Sequence, residues 1–130
     1  MMMPKYIEDD IVKYNDKIMV IKEPRDGSHF DLFCPQEGSV YCLVDVEEIK
    51  PIPITSEILE KNRWKKKMYC DWCHYLPIEG NILYLSKGIG IDGAFSVDVG
   101  QGMSHIACIS FVHQLQHLFF GFGLSSKMEV

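Results

Sequence analysis

No run in the sequence comes near the 18 or so apolar residues that cross a membrane as a helix, and the opening MMMPKYIEDD has no charged-then-apolar export signal. A cytoplasmic protein without a membrane partner is expected. Cysteine is sparse and odd in number, five in 130 residues, so without an export signal free buried thiols are expected rather than a disulfide framework. Repeats and low-complexity tracts are missing, and 47% apolar with 24% charged residues excludes a disordered or fibrous chain. Basic charge is scarce early on: residues 1–54 hold six Lys and Arg against eleven Asp and Glu, whereas residues 55–130 hold seven of each. Affinity for nucleic acid comes mainly from neutralising phosphates, so the front half is a poor surface for it and the back half stays open.

What the chain does have is a strong helical stripe. In Ser110 to Leu124, Phe111, Val112, Leu115, Leu118, Phe119 and Phe122 recur at the spacing of one buried helix face. Burying six such side chains is worth roughly 9 to 18 kcal/mol gross, an upper bound because an unfolded chain already hides apolar area. Ser110 is the expected N-cap, and Gly121 and Gly123 the expected end. His113, Gln114, Gln116 and His117 fall on its polar side.

Upstream the pattern is that of strands. Ile11 to Tyr14 and Lys17 to Lys22 flank Asn15-Asp16, a pair that tolerates the positive φ of a two-residue hairpin turn. His29 to Cys34 and Val40 to Val44 follow, each bounded by turn residues, and the four together predict a small β-barrel-like module of the SH3-like kind over residues 1–54. Asp45 to Ile49 fits one helical turn, and Lys50-Pro51-Ile52-Pro53-Ile54 must be extended. Thr55 caps a short helix ending near Asn62, with Glu57 in its first turn. Met68 to Tyr75, Asn81 to Lys87, Ala94 to Val99 and Met103 to Ile109 are the strands of an antiparallel meander punctuated by glycine. The fold class is therefore α+β: the β module, then an α–β-meander–α module over 55–130 whose C-terminal amphipathic helix packs on its sheet, the two packing as one unit or apart.

Catalytic signatures are lacking. Cys70-Asp71-Trp72-Cys73-His74 has half of a zinc site, but on a strand residues three apart point to opposite faces, which favours two partly buried thiols and no metal. Gly88-Ile89-Gly90-Ile91-Asp92-Gly93 is formally GxGxxG, yet the alternating Ala94 to Val99 after it offers no helix N-terminus. A flexible hairpin is expected, with Gly88, Gly90 and Gly93 able to bring backbone amides to a phosphate. Arg63, Trp64, Lys65, Lys66 and Lys67 form the one basic cluster, with Tyr69, Trp72 and Tyr75 close behind. Interleaved cations and aromatic planes suit a nucleotide, charge for the phosphates and a ring face for the base. The competing reading is a solvated turn in which Trp64 covers the core. His113, Gln114 and His117 are further candidate ligand contacts, against hydrogen bonds to loop backbone or a subunit interface. No nucleophile or carboxylate is fixed beside them by spacing, so catalysis has no support and no cofactor is called for.

The extended Lys50 to Thr55, the helix Glu57-Ile58-Leu59-Glu60-Lys61-Asn62 and the late Phe111-Val112-His113-Gln114-Leu115-Gln116-His117 resemble a group of small uncharacterised proteins encoded by phages and mobile elements of gut anaerobes, which carry LEKNG and YVHQLQ-like stretches. Arg63 stands where that pattern has glycine after the asparagine, which speaks against a left-handed cap there. The resemblance implies an accessory protein of a phage and no known activity. Three readings follow: a non-enzymatic protein that sequesters a small host factor such as a nucleotide immune signal, a nucleic-acid-associated accessory protein, and an interaction adaptor. The last would form a homo-oligomer through Phe119, Phe120 and Phe122, which cannot all face one core.

Overall fold

A computed structural model describes residues 6–68, 73–87, 94–100, 102 and 104–130. The fold is a mostly-β α+β arrangement of two five-stranded antiparallel sheets, a short middle helix and a C-terminal helix. The chain divides into two compact units, Met1–Ile52 with Phe111–Met128, and Pro53–Ser110 with Glu129–Val130. Among the described residues no helix is long and apolar enough to cross a membrane.

The first unit is a meander. Strands β1 (Ile11–Tyr14), β2 (Lys17–Pro24), β3 (His29–Cys34) and β4 (Ser39–Asp45) pair in sequence, and β5 (Lys50–Pro51) joins the free side of β1, giving the order β4-β3-β2-β1-β5. The two outer strands do not pair, so the expected barrel-like closure is not formed and the sheet stays open. Asn15 and Asp16 both have positive φ, 51° and 59°, and Tyr14 pairs with Lys17, which is the two-residue turn that matches strand twist. A 3-10 turn at Val46–Glu48 sits where one helical turn was expected, with the Asp45 side chain accepting from the Glu47 N–H. Tyr6, Val12, Met19, Ile21, Phe30, Leu32, Cys34 and Val44 are buried together as the core.

The C-terminal helix α2 (Val112–Gly121) contacts β1 and belongs to this first unit, not to the meander on which it was expected. The physical reason is polar. Buried Gln116 accepts the Ile11 N–H at 2.8 Å through Oε1 and donates through Nε2 to the carbonyls of Asp9 and Ser126, at 2.9 and 3.0 Å. The buried stripe is therefore Val112, His113, Leu115, Gln116 and Phe119, while Phe122, expected inside, is 41% exposed. Phe111, not Ser110, is the N-cap, its N–H donating to Gln114 Oε1 at 3.1 Å. Past the C-cap Phe122, Gly123 has φ 74° and the Leu124 N–H returns to the Phe119 carbonyl, which closes the helix as its glycines suggested.

The second unit opens with α1 (Ser56–Lys61), capped by Thr55 Oγ1 accepting from the Ile58 N–H at 3.2 Å. Its exit corrects an expectation: Arg63 does take the left-handed conformation, φ 72°, and the Trp64 N–H bonds the Leu59 carbonyl at 3.0 Å. Strands β6 (Lys65–Lys66), β7 (Cys73–Ile78), β8 (Asn81–Lys87), β9 (Phe95–Val99) and β10 (Ser104–Ile109) then form an antiparallel meander ordered β10-β9-β8-β7-β6. Alternation gives it one apolar face, with Leu83, Leu85, Phe95, Val97 and Ile109 buried, and one polar face.

Candidate functional site

The residues singled out by the sequence fall in different units. His113, Gln114 and His117 lie on α2 in the first, and Arg63 to Lys67 lie in the second. Tyr69, Cys70, Trp72 and the glycine loop with Gly88, Gly90 and Gly93 lie outside the described residues. Among the described residues no group of three His, Cys, Asp or Glu side chains could hold a metal.

In the first unit the histidines are engaged internally. His117 Nε2 meets both oxygens of buried Asp10, at 2.9 and 2.8 Å, and Asp10 Oδ2 also accepts the Ile7 N–H at 2.8 Å. Burial raises the Asp10 carboxyl above its ordinary range, opposed by the Ile7 N–H and by His117. His113 is buried between the rings of Tyr6 and Phe111, 5.0 and 6.0 Å away, and loss of solvent, helped by His117, lowers it to about 4. Tyr6 is pushed up to about 12 by burial and by the Asp10 charge. Its hydroxyl and His113 Nδ1 have no hydrogen-bond partner among the described residues. A cleft of about 380 Å³ opens beside the pair, lined by Ile7, Glu8, Asp9, Asp10, His117 and Phe120. Its three carboxyl side chains repel phosphates, so the histidines that suggested ligand contact are poor candidates for an anionic one.

In the second unit Trp64 is 2% exposed and belongs to the core, so it offers no face to a base. The cations around it are placed differently. Lys65 and Lys66 form the edge strand β6, paired as Lys65↔Tyr75 and Lys66↔His74, and both are exposed. Strand register continues the first pairing across the sheet: Tyr75 faces Tyr84, Tyr84 faces Asp98, and Asp98 faces His105. Residues directly opposite one another share a face, so Lys65, Tyr75, Tyr84, Asp98 and His105 make one row, roughly 19 Å long at ordinary strand spacing. Lys67 Nζ lies 5.7 Å from the centre of the Tyr84 ring. Both tyrosines are half-buried.

The row is a surface that only pairing reveals. Tyr84 was not singled out by the sequence, and its signal, Tyr84 and Ser86 alternating with Leu83 and Leu85, becomes meaningful once β7 and β8 are in register. Asp10, the partner of His117, is 107 positions from it, and spacing carries no sign of that pairing. Comparison of the chain with protein-family models, curated proteins and solved structures returns no significant match.

Proposed function

We propose that this is a non-enzymatic accessory protein of phage origin that sequesters a small host factor of the nucleotide class. The observation that carries the reading is the row on the polar face of the second sheet, where Lys65 adjoins Tyr75 and Lys67 sits over Tyr84. Two neighbouring phenol rings offer a stacking face worth about 1 to 3 kcal/mol per base, and the ammonium groups answer the phosphates. Arg63, two positions before Lys65, is also exposed. The phage context rests on the resemblance of Lys50 to Thr55, Glu57 to Asn62 and Phe111 to His117, and interference with a nucleotide immune signal is the job that context suggests.

Thermal unfolding with a panel of cyclic and ADP-ribose-type nucleotides tests this. A ligand that binds the native state must raise the melting temperature, and the rise should vanish in Lys65→Glu/Lys67→Glu. No rise with any nucleotide removes the proposal. A rise only with an oligonucleotide, weakening steeply with salt, favours the nucleic-acid-associated reading instead.

A second reading has its own observation. Phe120 and Phe122 are 71% and 41% exposed, and Ile7, on the cleft with Phe120, is 38% exposed. Such apolar exposure suits an adaptor or a homo-oligomer, and light scattering that returns a monomer mass counts against it.

A further inference from the structure

We infer that Cys108 is a reactive thiol, activated by His105 and Asp98, that forms mixed disulfides with low-molecular-weight disulfides of the glutathione type. It stands independently of the nucleotide reading.

The placement comes from an irregularity in the sheet. Along a regular strand His105 and Cys108, three residues apart, would point to opposite faces. The β9–β10 register shifts between His105 and Ala107, so that His105 faces Asp98 while Cys108 faces Ser96. The extra residue resets the alternation, and Ser96, Asp98, His105 and Cys108 come to the same polar face.

Their contacts form a chain. His105 Nδ1 is 2.8 Å from Ser96 Oγ and 3.3 Å from Asp98 Oδ1, and Ser96 Oγ donates to Asp98 Oδ1 at 3.4 Å. An ionised carboxylate only accepts, so Nδ1 carries the ring proton and donates toward Ser96 and Asp98. The Nε2 lone pair is then directed at the thiol, with Cys108 Sγ 3.8 Å away. This is the nucleophile, base and orienting group of covalent catalysis, slightly loose as such groups are without a substrate. His105 and Cys108 are both exposed, so an incoming disulfide can reach the sulfur. A metal is not the alternative, since these donors make no cluster able to hold one.

An open sheet face suits this reaction. The Sγ proton passes to His105 Nε2, the thiolate attacks one sulfur of the disulfide, a Cys108 S–S bond forms and the incoming S–S bond breaks. The leaving thiolate recovers the proton from Nε2. The oxidant is the disulfide itself, and the charge passes along three sulfurs, so no oxyanion donors are needed.

The test is incubation of the full chain with oxidised glutathione, acid quenching and peptide mapping by mass spectrometry. Cys108 should form the mixed disulfide, and His105→Gln should slow it about tenfold while leaving exposed Cys42 unchanged. Asp98→Asn, which frees the ring to turn, should slow it by a smaller factor. Between about pH 8 and about pH 6 the wild-type rate should fall less steeply than that of His105→Gln. A measurement without variants stands beside these: unfolding in urea, which separates Cys108 from His105, should slow Cys108. Equal Cys108 rates with and without His105, parallel pH profiles, or a rate unchanged or raised on unfolding would overturn the inference.

Discussion

The two units each hold a five-stranded antiparallel sheet and one helix, and they treat their polar side chains in opposite ways. The first hides them. Of the five buried polar residues among those described, Asp10, Asp31, His113 and Gln116 belong to it, and only His74 belongs to the second. The second unit sets Lys65, Tyr75, Tyr84, Asp98 and His105 along an accessible row. A buried polar group is committed to structure, because leaving its partner unsatisfied is costly, whereas a half-exposed one on a rigid sheet is available to a ligand. Buried His113 and Asp10-paired His117 in the first unit, like buried His74 in the second, therefore read as architecture, whereas His105 on the second sheet stays open to solvent.

The contrast breaks most visibly at Gln116. Gln116→Leu keeps the size but strands the Ile11 N–H and two carbonyls, and should cost about 3 kcal/mol or more in urea unfolding. A loss below about 1 kcal/mol would mean that this glutamine does not hold the helix to β1.

Next in size is a pH effect centred on the first unit, to which His74 in the second, also held below its ordinary value by burial, adds in the same direction as His113. The folded protein holds His113 at about 4 against an ordinary 6.5, so between these values the unfolded chain binds the proton more readily. Stability from His113 is complete above about 6.5 and is lost as pH falls through about 4, by about 3 kcal/mol in all. Asp10 acts the other way: its raised carboxyl favours the protonated native state, so its contribution grows as pH falls through its folded value. Tyr6, raised from 10.0 to about 12, contributes below about 10 and loses that contribution through about 12. His113→Phe should flatten the acid limb and Tyr6→Phe the alkaline limb of a stability–pH profile, and unchanged limbs would contradict the assignment.

In the second unit the expected effects on stability are small and those on binding large. Lys65→Glu/Lys67→Glu should leave the melting temperature of the free protein nearly unchanged and abolish the nucleotide-induced rise. A large loss of stability would show that these lysines are structural. The smallest effect sharpens the backbone argument: Arg63→Gly, at φ 72°, should stabilise the chain by about 1 kcal/mol, because glycine takes the left-handed conformation without strain. Destabilisation would mean that the arginine side chain holds the turn.

Local order was legible in the sequence wherever it was set by neighbours. The Asn15-Asp16 turn, the Thr55 cap, and the strand Asn81–Lys87 come from short-range turn chemistry, capping and alternation. Long-range choices were not. A stripe of phenylalanines predicts a buried helix without saying which sheet it covers, and two hydrogen bonds from one glutamine, to Ile11 and Asp9, hold it to the first. The basic cluster was visible as charge, but Trp64 turned inward and the aromatic face came from Tyr75 and Tyr84, a pairing fixed by strand register. His105 and Cys108 were beyond reach for the same reason, since a bulge is what aligns them.

The most direct test is a titration of isotopically labelled protein with the nucleotide giving the largest thermal shift, followed by NMR. Perturbations should concentrate at Lys65, Lys67, Tyr75 and Tyr84, with His113 and His117 undisturbed. Perturbations centred on the Asp10–His117 cleft, or none anywhere, would contradict the proposed site.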